Sequence, residues 1–143
     1  MQIDKTIEFT FRQQLGKHQL RLTHVRKEIF QKLYKTSKPL SIQDIAKGIH
    51  TAHFVSVYRS VDSMQKAGIL KQVPQGFKNL FELSDLFRPH HHHATCKVCG
   101  TTKEVHDGRI ESLMNTLTKE AGLEPTEHHF EMYGVCKSCQ IAH

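Results

Sequence analysis

The chain has 143 residues, 38% of them hydrophobic and 24% charged, and its formal net charge is +6. This composition is ordinary for a globular protein and argues against disorder. No apolar run approaches the roughly 18 residues of a membrane-spanning helix, and the start of the chain lacks the apolar stretch of a secretion signal. We therefore expect a cytoplasmic protein without a membrane partner, built as one domain or two small ones.

The charge is unevenly distributed along the chain. Residues 1–89 contain 15 lysines and arginines against 7 aspartates and glutamates, whereas residues 90–143 contain 5 against 7. The first part therefore has a net charge of +8 and the second a net charge of −2. A basic part of this kind indicates either a polyanionic partner or a solvated surface, and charge alone favours neither.

Two helices are predicted first in chain order. Within residues 20–35 the apolar side chains recur at helical spacing, and Thr23 is a suitable N-cap. The stretch "SIQDIAKGI" predicts a second, shorter helix that Ser41 caps and Gly48 helps to end.

A third helix is predicted within "HFVSVYRSVDSMQKAGIL", ending at Gly68. Its apolar stripe, which we expect to be buried, consists of Val57, Val61 and Met64. Tyr58, Arg59 and Ser63 lie off this stripe and can face outward. Two strand-like runs then flank Pro74–Gly76 and predict a β-hairpin. Helices followed by a hairpin indicate a winged helix-turn-helix, whose last helix enters the DNA major groove.

The second half predicts a small α/β unit. Strands are expected in "HHHHATCKVCG", "TKEVHD" and "EHHFEMYGVC", with a helix in "GRIESLMNTLTKEAGL" that ends near Gly122. Pro89 and the change in charge place the boundary near residues 84–89. We expect an α+β protein with domains at 1–86 and 87–143.

The four cysteines form two Cys-x-x-Cys pairs. In a secreted protein they would indicate disulfides, but in a cytosolic one they indicate tetrahedral zinc closed to solvent. The alternatives are redox-active pairs or unrelated buried thiols. The duplicated spacing favours a structural zinc.

Four consecutive histidines, residues 90–93, precede the first cysteine pair. In an extended backbone successive side chains point to opposite faces, so His90 and His92 share one side while His91 and His93 share the other. The tract would thus serve two sites, each completed by nearby carboxylates and imidazoles. The candidates are Glu82, Glu104, His106, Asp107, Glu111, His128 and His129. Such sets suit Fe(II), Mn(II), Co(II), Ni(II) or Zn(II); a solvated loop or an affinity tag is the alternative.

Several motifs in order resemble the ferric uptake regulator (Fur) family of metal-dependent transcription factors. The likeness runs from Arg21 to Cys139 and is carried by "RLTHVR", "SVYRSVDSMQKAGIL", "FEL", "HHHHATCKVCG", "D-x-x-I-E" and "YGVCKSC". It implies an N-terminal winged helix and a C-terminal α/β dimerisation domain. It also implies homodimers that bind double-stranded DNA at A/T-rich palindromic operators, usually repressing, when a divalent metal occupies an interdomain site.

By position in those motifs, the resemblance assigns roles to individual residues. Tyr58 and Arg59 would be the recognition-helix pair, with the ring against thymine methyl groups and the guanidinium on a phosphate. Arg21 would enter the minor groove. Structural zinc would be held by Cys96, Cys99, Cys136 and Cys139. The regulatory site would use Glu82, His91, His93 and Glu104, and an additional site would use His90, His92, Glu111 and His128.

The linker departs from the family pattern. Many iron- and peroxide-sensing members have a histidine there, but this chain has Pro39 and Leu40. Water, His50, His53 or another side chain would have to supply that ligand. Fe(2+) or Mn(2+) is favoured as the regulatory ion, with Zn(2+) or Ni(2+) as alternatives.

Three other functions are compatible with parts of the sequence. A constitutive DNA-binding protein with only structural zinc would explain the missing linker histidine. A zinc hydrolase would need an open coordination position and a general base, but no H-E-x-x-H motif is present. A metal-storage protein would not need the winged helix. We expect a regulator rather than an enzyme.

Overall fold

The computed structural model describes residues 3–75, 78–126 and 128–141. These form two compact units, Met1–Pro89 and His90–His143. The units meet three residues beyond the boundary expected at 86/87. Phe87 is buried in the first unit's core, and Arg88 donates from Nη2 to the carbonyl oxygens of Leu33 and Tyr34 at 3.1 and 2.8 Å.

The first unit is a winged helix-turn-helix, as the sequence predicts. Its elements are α1 (Lys5–Lys17), α2 (His24–Lys35), α3 (Ile42–Ala46), α4 (Phe54–Lys66), β1 (Leu70–Gln75) and β2 (Lys78–Leu83). β1 and β2 pair antiparallel, and Leu40 bridges to Phe81 beside them. The predicted turn at Pro74–Gly76 lies partly outside the described residues.

The helix boundaries follow from their capping residues. Thr23 Oγ1 accepts from the amide of Arg26 at 3.3 Å, and Ser41 Oγ accepts from the amide of Asp44 at 3.1 Å. Each hydroxyl thereby satisfies an amide that has no partner within the helix. Gly68, at φ 66°, ends the turn after α4 in the left-handed conformation that glycine adopts without a steric penalty.

Helix α1 was not predicted. Asp4 caps it by accepting from the amide of Thr6 at 2.7 Å, and its Phe11 and Leu15 are buried. Phe11 stacks on Phe30 of α2, with ring centroids 4.1 Å apart. The apolar spacing of these residues is helical, so the signal was present in the sequence.

The second unit is a three-stranded sheet with two helices. Its elements are β3 (His92–Cys96), β4 (Thr102–Val105), α5 (Gly108–Glu120), β5 (Glu131–Gly134) and α6 (Lys137–Ile141). Strand β3 is central, antiparallel to β4 and parallel to β5. All four elements predicted here are present, whereas the short helix α6 was not expected.

The two units differ in how much apolar surface they bury. The first has a continuous core that includes Ile29, Phe30, Leu33 and Val61. In the second, α5 has no buried residue, and its Leu113 and Leu117 are 58% and 51% exposed. No helix among the described residues is both long and apolar enough to cross a membrane.

The core of the first unit provides a stability test. Leu33 is 1% exposed, so Leu33→Ala leaves a cavity and is expected to lower the free energy of unfolding by about 2–5 kcal/mol. Leu86 is 54% exposed, and Leu86→Ala should change it by less than about 0.5 kcal/mol. Hydrogen exchange of the α2 amides in the full-length protein measures both; equal losses in the two variants would contradict this packing.

Candidate metal centres and nucleic-acid interface

The four cysteines converge within the second unit. Cys96 ends β3, Cys99 follows in a tight turn, and Cys136 and Cys139 lie at the start of α6. One ligand atom from each lies within 4.8 Å of all the others, and the Sγ atoms of Cys99 and Cys136 are 3.7 Å apart. Zn–S bonds of about 2.3 Å in a tetrahedron place the sulfurs about 3.8 Å apart. All four thiols are free, so the cluster fits a zinc ion and not disulfides.

The surroundings of the thiols favour the charged form of Cys96 and oppose that of Cys139. Amide hydrogen bonds from the segments of Cys99 and Cys136 lower the pKa of Cys96 to about 6. The neighbouring Cys136 thiol, burial and the remaining cysteines raise the pKa of Cys139 to about 12. Because zinc binds thiolates, an ion entering the cluster must displace the proton that Cys139 retains at neutral pH.

One face of the histidine tract forms a second donor group. His90, His92, Glu111 and His128 each place a ligand atom within 4.8 Å of the others. Glu111, projecting from α5, lies 2.6 Å from His92 Nε2 and 3.3 Å from the Nε2 atoms of His90 and His128. Burial raises the pKa of Glu111, but the hydrogen bond with His92 and the charges of the other imidazoles outweigh it and hold that pKa below its ordinary value.

The opposite face of the tract carries the other two imidazoles. The ring centroids of His91 and His93 are 5.0 Å apart, the same separation as between His90 and His92. The alternation predicted from an extended backbone is therefore present, although the strand itself begins at His92. Strand pairing sets Glu104 opposite His93, and its Oε1 lies 4.0 Å from His91 Nε2. This face offers nitrogen and oxygen ligands without a thiolate.

Glu82, the linker position and the two histidines considered as replacements for the linker histidine lie in the first unit. Glu82 is buried on β2, and its Oε1 lies 3.3 Å from Lys71 Nζ. Leu40, at the position where the linker histidine was sought, exchanges two backbone hydrogen bonds with Phe81, of 2.9 and 2.8 Å. His50 and His53 are exposed in the segment before α4, where His53 is the N-cap residue.

Helix α4 presents the expected DNA-contacting residues. Val57 and Val61 are buried, whereas Tyr58 is 53% exposed and Arg59 is also exposed. The outward orientation expected for Ser63 is wrong, because it is half-buried and its hydroxyl accepts from Arg26 Nη2 at 3.2 Å. That contact fastens α4 to α2.

Arg21 is exposed in the segment before α2. Its carbonyl oxygen accepts from Arg26 Nη1 at 2.6 Å, which ties the backbone of the segment to α2.

Comparison with known proteins places the chain in a family. The sequence model of the Ferric uptake regulator family matches residues 17–133, which include α2 to α4, the histidine tract and the first cysteine pair. The chain belongs to this family. The resemblance seen in the sequence motifs is confirmed.

Individual family members are similar over most of their length. The Ferric uptake regulation protein of Legionella pneumophila is 29% identical over 134 residues, which cover 90% of this chain and 97% of that protein. The Helicobacter pylori regulator, described as having three functional metal binding sites, is 26% identical with a TM-score of 0.79, covering 95% and 93% of the two chains. The Pseudomonas aeruginosa regulator with manganese is also 26% identical, with a TM-score of 0.72, covering 88% and 97%.

The cysteine cluster gives a direct prediction. Cys96→Ser removes a thiol whose pKa is lowered, and we expect zinc to fall from one ion per chain to near zero, with faster hydrogen exchange in β3 to β5. Ser138→Ala changes a neighbour of Cys139 without removing a thiol and serves as the control. Elemental analysis of both dialysed variants measures the loss, and unchanged zinc in Cys96→Ser would rule out the assignment.

Proposed function

We propose that this chain is a metal-responsive transcriptional regulator, a repressor that binds operator DNA as a homodimer. One observation carries the proposal: a single family match joins a helix with exposed Tyr58 and Arg59 to a histidine tract with donor groups on both faces. A DNA-reading element and a thiolate-free metal site in one chain are the two components that a metal-dependent switch requires.

The DNA contacts are proposed for the first unit. Helix α4 enters the major groove, where the Tyr58 ring packs against thymine methyl groups and Arg59 holds a phosphate. Arg21 reaches the minor groove of A/T-rich DNA, whose narrow shape attracts arginine. The net charge of +8 over residues 1–89 supports this, since phosphate neutralisation dominates DNA affinity.

The homodimer is proposed for the second unit. Leu113 and Leu117 lie one turn apart on α5 and are more than half exposed. Tyr133 in β5 and Val135, which directly follows β5, are each 43% exposed. A sheet and helix that bury so little apolar surface gain stability by packing against a second copy. The two-fold symmetry of such a dimer matches a palindromic operator.

Three roles are proposed for the donor groups. The cysteine cluster holds structural zinc, and the His90, His92, Glu111 and His128 group is an additional site. The regulatory ion, Fe(2+) or Mn(2+) with Zn(2+) or Ni(2+) as alternatives, is held by His91, His93 and Glu104 with Glu82 from the first unit. Nitrogen and oxygen ligands without thiolate suit these ions and keep their binding reversible. A bound ion would supply the positive charge for which Glu82 and the imidazoles are ligands.

The regulatory ion must bind the DNA-competent state more tightly than the other state, or it shifts nothing. Coupling of this kind is typically worth about 1–3 kcal/mol per site, so two sites in a dimer change operator affinity by roughly a hundredfold or more. A constitutive DNA-binding protein with structural zinc is the second candidate, and it is favoured by Leu40 at the linker position.

The switch is tested by measuring DNA affinity with and without the ion. With an A/T-rich palindromic duplex, we expect Mn(2+) to tighten binding by roughly a hundredfold over a chelator that leaves the zinc in place. Glu82→Gln should abolish most of this response, because it removes the carboxylate that the first unit contributes. The same affinity in metal and in chelator would establish the constitutive alternative instead.

The DNA interface is tested by its salt dependence. Arg59→Gln removes one phosphate contact, so the slope of log affinity against log salt should fall by about 1, with similar weakening on all duplexes. Arg109→Gln makes the same charge change at an exposed position of the second unit and should leave the slope unchanged. Equal slopes for Arg59→Gln and the unaltered protein would show that α4 does not contact the backbone through this residue.

A further inference from the structure

We propose that His106 is a ligand of the regulatory ion in this chain and takes the place of the missing linker histidine. The inference rests on the proposed function, because it concerns the same ion. It adds a residue that lies in neither the cysteine cluster nor the two histidine groups described above.

The register of β3 and β4 places His106 on the face of His91 and His93. His93 lies opposite Glu104 and His92 lies opposite Val105, so the next position in the antiparallel ladder sets His91 opposite His106. Side chains directly opposite each other in a sheet share a face, and alternate residues of one strand share it too. One face therefore carries His91, His93, Glu104 and His106, while His92 and Val105 point the other way.

The distances agree with a common ion. The ring centroids of His91 and His106 are 5.6 Å apart. In the group around Glu111, the corresponding separations between imidazoles are 5.0, 5.2 and 5.3 Å. The separation between the His106 and His91 rings is thus only a few tenths of an ångström larger than the separations in the Glu111 group, whose ligand atoms could all contact one ion.

Glu104 has one carboxylate oxygen near His91 and the other near His106. Its Oε1 lies 4.0 Å from His91 Nε2, and its Oε2 lies 3.5 Å from His106 Nε2. Ligand atoms about 2.1 Å from one ion are roughly 3 to 3.5 Å apart, so a movement of about half an ångström brings the pair into range. The His106 side chain is 54% exposed, so it can rotate towards the ion without displacing core atoms.

The resulting set has three imidazoles and a carboxylate from one unit. Neutral imidazoles with a carboxylate suit Fe(2+), Mn(2+), Co(2+) and Zn(2+). Leu40 cannot contribute, because its side chain is an alkyl group packed against the first core. Metal affinity in this chain then resides mainly in the second unit.

The test counts imidazoles at the ion in the full-length protein. Glu111→Ala combined with His128→Ala first disables the other histidine group, because it removes the carboxylate that contacts all three imidazoles and one of those imidazoles. In this background Co(2+) is titrated into His106→Ala and into the control His129→Ala, whose exposed histidine has no place in either group. X-ray absorption of the loaded proteins gives the number of imidazole ligands. Zinc content and hydrogen exchange confirm that each variant is folded.

We expect His106→Ala to bind Co(2+) at least about tenfold more weakly, comparable with removal of a supporting group at a metal site. One imidazole should also be lost from the ion, with no change in His129→Ala. His106→Gln gives the same readout if the alanine variant folds poorly. An unchanged imidazole count overturns the proposal, even if affinity falls, because His106 would then only position Glu104.

The proposed function and the proposed role of His106 would be contradicted by different results. If operator affinity responds to metal but His106→Ala retains every imidazole, the proposed function stands and this inference is wrong. If His106→Ala loses an imidazole but DNA binding never responds to metal in the unaltered protein, His106 is a ligand and the regulatory role is wrong.

Discussion

The central position of β3 is the constraint on which the metal chemistry depends. Paired on both sides, the strand is held extended, so the imidazoles before and within it must alternate between the two faces of the sheet. The same strand ends at Cys96, where its last residue becomes part of the cysteine cluster. A segment of seven residues, 90–96, thereby contributes to three separate donor groups, and a register slip of one residue would exchange the two histidine faces.

The two units are stabilised by different means. Around Phe30, stacked on Phe11 and edge-on to Phe87, the first unit buries aromatic and aliphatic side chains from every helix and from the segment that leads out of it. The second unit buries imidazoles, a thiol and a threonine at the centre of its sheet in place of such a core. An ion held by these side chains would therefore stabilise the unit, because buried polar groups gain most when a ligand satisfies them.

Sequence reasoning succeeded where a local rule acts on a few residues. The caps Thr23 and Ser41, the stop at Gly68 and the faces of the histidine tract were all predicted, since each follows from hydrogen-bonding capacity or side-chain period alone. Helix α1 was missed although Phe11 and Leu15 repeat at helical spacing, and Ser63 was placed outward although it faces Arg26. Ser63 lies off the apolar stripe of α4, but its hydrogen bond with Arg26 of α2 keeps it partly buried.

The sequence by itself determined which side chains could bind a metal, the order of every element except α1 and α6, and the two faces of the histidine tract. Residue type and backbone period act within a few positions, so these features can be read locally. The tertiary structure decided which distant residues complete each group. Glu111 contacts His92 because α5, the helix after β4, places it there. His106 lies opposite His91 only because β4 pairs with β3 in one register. Partners of this kind depend on strand pairing and helix packing, which bring together residues whose separation along the chain carries no signal of contact.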